Sequence, residues 1–271
     1  MVSDQTLVFY HKTAREFVRW LVERGKLDPE NITAKDVRTY PNEFVEVGSK
    51  ASYVNSHARA IRTLLKFFCE EKYIREQIKF QMPPTGANER LPYLTADEVK
   101  RVVHVCFRPR NKALILLMVD SGVRRSEIVA LDWEDVDIRT GVVNIKRGKG
   151  GKSRSVVIGA RTRRAILAYK RTIEHRSNAP LFQTIYGERL TVGGLRSLLL
   201  RISQRSGIHI TPHALRRTFA TLSLRAGMSP LHLQGLLGHS TLEMTRRYTQ
   251  LIEDDLVDAH QKHGPVDNFL K

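Results

Sequence analysis

Tyr248, in Thr245-Arg246-Arg247-Tyr248, is a phenol flanked by two guanidinium groups. A phenol titrating near about 10 is a poor nucleophile until cations lower its pKa or a base takes its proton. His239 lies nine residues earlier, in Leu236-Leu237-Gly238-His239-Ser240, where Gly238 suits the end of one helix and Thr241 the start of the next. In Thr211-Pro212-His213-Ala214-Leu215-Arg216, His213 and Arg216 stand three apart. That spacing puts both on one face near a helix N-terminus, where partial positive charge also favours anions. Further upstream, Ser121-Gly122-Val123-Arg124-Arg125-Ser126-Glu127 follows an apolar stretch from Ala113 to Val119. A glycine stop and a short polar turn set Arg124 at the mouth of a packed element. Its planar fork fits two non-bridging phosphate oxygens and stays charged at any working pH. Glu127, one helical turn on, is placed to orient that fork. Lys149, in a glycine-rich basic segment, is placed to donate a proton to a leaving oxygen.

Each segment alone has an ordinary explanation. Paired arginines are common at helix starts, a single histidine is more often structural than catalytic, and a tyrosine between arginines suits a plain surface position. The elements that would position these residues, and the partner they would serve, have to be read from the rest of the chain.

Charge narrows the partner. Forty-five Lys and Arg against 28 Asp and Glu leave a net +17, with a sequence pI near 10.2. Such an excess is the electrostatic footprint of a nucleic-acid binder, although a merely soluble basic protein shares it. The charge is uneven: residues 1–85 hold 14 basic and 11 acidic residues, the remainder 31 and 17. Hydrophobic content of 41% is ordinary for a globular chain, and no segment approaches the ~20 apolar residues of a membrane span. The opening residues lack the pattern of a secretory signal, so a cytoplasmic location is expected. Cys69 and Cys106 are isolated, which indicates neither a disulfide framework nor a zinc site. His260-x-x-His263 lacks the cysteine or carboxylate company of a metal centre, and no metal is expected there.

The periodicity predicts a mainly α protein with a small β-hairpin, an α+β fold in two domains. Tyr10, Ala14, Phe17 and Leu21 recur at helical spacing before Gly25, and Thr33 with Asp36 forms a capping box. Val54, Ala58, Ile61, Leu65 and Phe68 make an apolar stripe. Beside it run Asn55, Arg59, Arg62 and Lys66, read as DNA-contacting residues, although a solvated face explains the same pattern. Pro83-Pro84-Thr85-Gly86-Ala87-Asn88 marks a domain boundary, and Thr95 to Glu98 opens a new helix with a second capping box. The domains expected are residues 1–85 and 86–271. In the second, Val142, Val143 and Ile145, then Val156, Val157 and Ile158, flank the basic tip Arg147 to Lys152. Lys152 and Arg154 are read there as further DNA contacts. Helices return from Arg161 and give way to a tail near Gly264-Pro265.

The set as a whole resembles the tyrosine recombinases, the family of phage integrases and Xer-type recombinases. The resemblance rests on Arg124 in GVRRSE, Lys149 in GKGGK, His213 and Arg216 in HALRRTFAT, His239 in LLGHS and Tyr248 in TRRYTQ, in the family's order. It spans roughly residues 90–264, and residues 1–85 look like the family's helical, SAM-like core-binding domain. Arg217 departs from the pattern, since many members carry His there. The resemblance implies that Arg124, Arg216 and His239 stabilise charge on the phosphate while Tyr248 attacks, leaving a 3′-phosphotyrosine and a free 5′-hydroxyl. Lys149 is then the general acid and His213 the acceptor of the Tyr248 proton. It also implies four protomers on double-stranded DNA, a Holliday junction, and no ATP, metal or other cofactor. The acidic amphipathic segment Glu253 to His260 would pack on a neighbouring protomer or fold back on its own domain. The alternatives are a type IB topoisomerase, which shares the phosphotyrosine chemistry, and a DNA-binding regulator without catalysis.

Overall fold

In the computed structural model, residues 4–83, 92–146, 153–173 and 179–238 are described, and they fall into two compact units divided between Glu89 and Arg90. Among the described residues, the first unit is three α-helices with a short 3-10 turn (Pro29–Asn31) between the first two. Helix α1 (Asp4–Val22) presents Phe17, Trp20 and Leu21 inward, as the spacing of its apolar residues predicts. Helix α2 (Ala34–Glu46) opens with the expected capping box: Asp36 N–H donates to Thr33 Oγ1, and Thr33 N–H donates to the Asp36 carboxylate at 2.7 Å. Helix α3 (Ala51–Glu70) buries Val54, Ala58, Ile61 and Leu65. Phe17, Trp20, Tyr40, Val37, Ile61 and Leu65 close the core, with the Phe17 ring 5.1 Å from Tyr40 and 6.1 Å from Trp20. Each such large side chain contributes about 1.5–3 kcal/mol on burial, which is what holds so small a unit together.

The second unit is built around one helix. The expected capping box at Thr95 and Glu98 starts α4 (Ala96–His104). Helix α5 (Pro109–Ser121) follows and carries Ala113, Leu114, Ile115, Leu117 and Met118, all inaccessible to solvent. A helix apolar on nearly every side must be covered all round, and neighbouring helices do this. They include α7 (Ala160–Lys170) and α9 (Pro212–Arg225), with α8 (Val192–Ser206) completing the core through Leu195, Leu198, Leu199 and Ile202. The short helix α6 (Arg125–Ala130) follows α5 directly, and α10 (Pro230–Leu237) packs on α9 through Leu233, Leu237, Phe219 and Leu224.

The β-branched runs form the predicted hairpin. Strands β1 (Val142–Ile145) and β2 (Arg154–Val157) pair antiparallel, with Val143 opposite Val156 and Ile145 opposite Arg154. Side chains alternate along a strand and opposed residues share a face, so Arg154 points to the same side as the buried Val143, Ile145 and Val156.

Candidate active site

Two tight helix ends build the site. Helix α5 stops at Gly122, whose φ of +61° is the left-handed conformation that terminates helices and suits glycine. No side chain fits there, because a Cβ would run into the Phe219 ring and stand 2.9 Å from Leu237 Cδ2. The turn after it makes Arg124 the N-cap of α6, one turn ahead of Glu127. Helix α10 stops the same way at Gly238, φ +61°, which agrees with the stop expected from the sequence.

Glu127 is the hub. Its side chain is 1% exposed, and both carboxylate oxygens are held on two sides. Arg124 donates from its backbone N–H to Oε2 at 2.7 Å and from Nη1 to Oε1 at 2.9 Å. Arg154 donates from Nη1 to Oε1 at 2.7 Å and from Nη2 to Oε2 at 2.8 Å, a bidentate fork. Burial by itself would raise the carboxyl pKa. The Arg154 and Arg124 hydrogen bonds and the Arg154 charge outweigh it and hold Glu127 down at about 2. Glu127 therefore holds Arg124 by its backbone and its side chain, and it does so as an anion at neutral pH.

The last carbonyls of α10 are the second anchor. A helix leaves its final C=O groups without intrahelical partners and concentrates partial negative charge there. Here three consecutive carbonyls each accept from a different arginine. Arg154 Nε donates to Leu236 O at 2.9 Å, Arg216 Nη2 to Leu237 O at 2.6 Å, and Arg124 Nη2 to Gly238 O at 3.1 Å. Arg216, only 6% exposed, also donates from Nη1 to Gly122 O, joining the two helix ends. Three guanidiniums from β2, α9 and the α5–α6 turn thus gather at the end of α10, two of them, Arg124 and Arg154, on the Glu127 carboxylate. The cluster carries an excess of two positive charges among the described residues. Such an array suits a phosphate whose negative charge grows during reaction.

His213 sits in the first turn of α9, after the Thr211 N-cap and Pro212. Its ring is exposed at the surface and its pKa is lowered, first by partial desolvation and then by the positive charges of Arg217, Arg125, Arg216 and Arg124. A neutral imidazole, able to accept a proton, follows. Lys149, Lys152, His239 and Tyr248 lie outside the described residues, as does the tail from Glu253 to His260. His239 immediately follows the Gly238 carbonyl that Arg124 holds.

Two of the expected DNA contacts are corrected by the structure. Arg154 is not a solvent-facing DNA contact: its side chain is 11% exposed and its fork is bound to Glu127. The alternation along β2 is the signal for this, since Arg154 precedes buried Val156 by two residues. Asn55 does not share the open face of α3 with Arg59, Arg62 and Lys66. It is 5% exposed and its amide donates to Ala51 O at 3.1 Å, while those three cations are exposed. Arg62 also donates to Phe80 O and Lys66 pairs with Glu70.

Among the described residues no three His, Cys, Asp or Glu side chains gather as a metal site, and no helix is long and apolar enough to cross a membrane. Residues 92–254, more than half of the chain, match the phage integrase family. The chain is 32% identical to the tyrosine recombinase XerC of Bacillus subtilis, over 97% of this chain and 91% of that protein. A crystal structure of XerA recombinase aligns with 97% of this chain and 93% of its own, at a TM-score of 0.58 and 26% identity. The Tn1549 transposon integrase in complex with transposon right-end DNA shares the fold at a TM-score of 0.77 over the whole chain and 95% of its own, with 18% identity. The family match and the likeness to XerC define the class, a DNA-rearranging enzyme. The chain belongs to the phage integrase family of tyrosine recombinases, and its activity is site-specific DNA recombination.

Proposed function

We propose that the chain cuts and rejoins double-stranded DNA at a specific site, with Tyr248 as nucleophile and the Arg124–Arg216 cluster as the phosphate seat. The observation that carries this reading is the arginine triad closed around Glu127 and the end of α10, one residue ahead of His239. Arg124 and Arg216, with His239, stabilise the charge that builds on the non-bridging oxygens. The Tyr248 oxygen bonds to phosphorus as the bond to the 5′-oxygen breaks. The phenol proton passes to His213, whose low pKa keeps it neutral and ready, and Lys149 protonates the departing 5′-oxygen. The phosphotyrosine conserves the phosphoester, so the reverse attack reseals the strand without ATP.

Residues 1–85 form the core-binding domain in this reading, with Arg59, Arg62 and Lys66 on phosphates, and residues 86–271 the catalytic domain, with Lys152 on DNA beside Lys149. Four protomers act on two sites through a Holliday junction, linked by exchange of the tail after Tyr248, in the cytoplasm where the DNA lies. The net charge of +17 supports the DNA partner.

The test is a nicked suicide substrate carrying the cognate site. The native chain is expected to form a covalent protein–DNA adduct and Tyr248→Phe none. Equal adducts from both would refute Tyr248 as nucleophile, and salt-sensitive binding without any adduct would favour a regulator.

A further inference from the structure

We propose that Arg154 is a positioning residue of the cleavage site, acting on the phosphate seat through Glu127 and through the end of α10; this rests on the function proposed above. A basic residue at the foot of a basic hairpin tip looks like a phosphate contact. The geometry assigns it elsewhere. Among the described residues, five hydrogen bonds fix the Glu127 carboxylate and the Leu236 carbonyl, all from two arginines, and Arg154 supplies three of them. Its bidentate fork covers both oxygens of Glu127, leaving that carboxylate no freedom to rotate away from Arg124. Its Nε reaches past Glu127 to Leu236 O at 2.9 Å.

The packing around it is equally closed. Gly238 lies flat on the Arg154 side chain, so that a Cβ would meet Cδ at 3.0 Å and Nε at 3.3 Å. In β2, Arg154 stands opposite Ile145, the last pair of the described hairpin, and in sequence the segment between those two residues contains Lys149. One side chain thus joins three supports: the hairpin that leads to Lys149, the turn that presents Arg124, and the helix end that leads into His239. Misplacing reacting groups by about 1 Å costs on the order of a hundredfold in rate, so such a tie matters to chemistry even without touching DNA.

A positioning residue and a phosphate contact give opposite results when binding and chemistry are separated. Arg154→Ala and Arg154→Lys are to be compared with the native chain by single-turnover adduct formation at saturating suicide substrate, and by DNA affinity over a salt series. The temperature is kept where melting curves show each protein folded. Arg154→Ala is expected to slow adduct formation by roughly tenfold or more, with Kd and the slope of log Kd against log salt unchanged. Arg154→Lys, which keeps the charge and loses the fork, is expected to recover part of the rate, and it carries the comparison alone if the alanine variant does not fold. In the Glu127→Gln background the effect of Arg154→Lys on rate is expected to shrink markedly, because the two residues act as one unit.

A weaker Kd with the salt slope reduced by about one and an unchanged saturated rate would make Arg154 a phosphate contact and overturn the proposal. Unchanged rate and affinity would overturn it too, leaving a structural residue only. Additive losses with Glu127→Gln would remove Glu127 from its route. Tyr248→Phe runs alongside: a Tyr248-dependent adduct formed at native rate by the Arg154 variants refutes this proposal alone, whereas an adduct that survives Tyr248→Phe refutes the nucleophile instead.

Discussion

Gly238 and Arg154 are in direct contact: the glycine backbone faces the arginine stem at a separation that a methyl group would reduce to 3.0 Å. Gly238 also holds φ at +61°, where an L side chain costs about 1–2 kcal/mol. Arg154 cannot yield easily, since Glu127 and Leu236 hold its fork. Gly238→Ala is therefore expected to lower unfolding free energy by about 1–3 kcal/mol in urea titrations and to slow adduct formation as well. A variant with native stability would show that the helix end relaxes at no cost.

Acid is expected to loosen the second unit through Glu127. The carboxyl titrates at about 2 in the folded chain against an ordinary 4.5, so its contribution is complete above pH 4.5 and is lost as pH falls toward 2. The shift corresponds to something on the order of 3 kcal/mol. Glu127→Gln should remove that acid-dependent component and, at neutral pH, cost about 3–5 kcal/mol by leaving Arg124 and Arg154 without their anion. Urea titrations from pH 6 to pH 2 read both effects, and an identical acid slope in the variant would contradict them.

The base assigned to His213 predicts a shape for the pH–rate curve. Its pKa lies below the usual 6.5 because of partial desolvation and the surrounding positive charge, of which Arg217 is the largest source. Adduct formation should thus stay active below pH 6.5 and fail only at lower pH. Arg217→Gln removes one repelling charge, so the acid limb is expected to move to higher pH while the plateau rate changes little. A limb that stays put would mean another group sets it.

Helix α3 separates binding from stability. Arg59→Ala and Lys66→Ala, at exposed positions, are expected to weaken DNA binding and each to reduce the salt slope by about one. The ion pair of Lys66 with Glu70 is solvent-exposed on both sides and offers little resistance to this use. Asn55→Ala should leave the salt slope alone and lower stability by about 1–3 kcal/mol, because its buried amide serves Ala51 O. Band-shift titrations across a salt series, with melting curves, distinguish the two behaviours.

Much of the scaffold is legible in the sequence because its signals are local. Both capping boxes lie within four residues of sequence, the apolar stripes repeat at helical spacing, and the β-branched runs on either side of residues 147–152 pair as a hairpin. Arg124 and Glu127 are readable as a pair because they stand one turn apart. Arg154 is harder to read, because composition marks its neighbourhood as basic surface while strand alternation turns its side chain inward. Asn55 misleads because the buried face of α3 is wider than a single stripe and takes in Asn55, His57 and Ala60. The role of Leu236, Leu237 and Gly238 leaves no trace in residue type, since what the arginines bind is their carbonyl oxygens.

Those carbonyl bonds also bear on when the enzyme becomes dangerous to DNA. Arg124–Gly238, Arg216–Gly122 and Arg154–Leu236 join residues 114, 94 and 82 positions apart. The helices around them close on residues four apart, whereas contacts across such long loops carry a larger entropic cost of closure. On this ground the arginine cluster is expected to assemble after the helices around it. A copy with its helices formed but these contacts unmade would lack the proposed seat for a phosphate, and strand breakage is expected only from the fully folded chain.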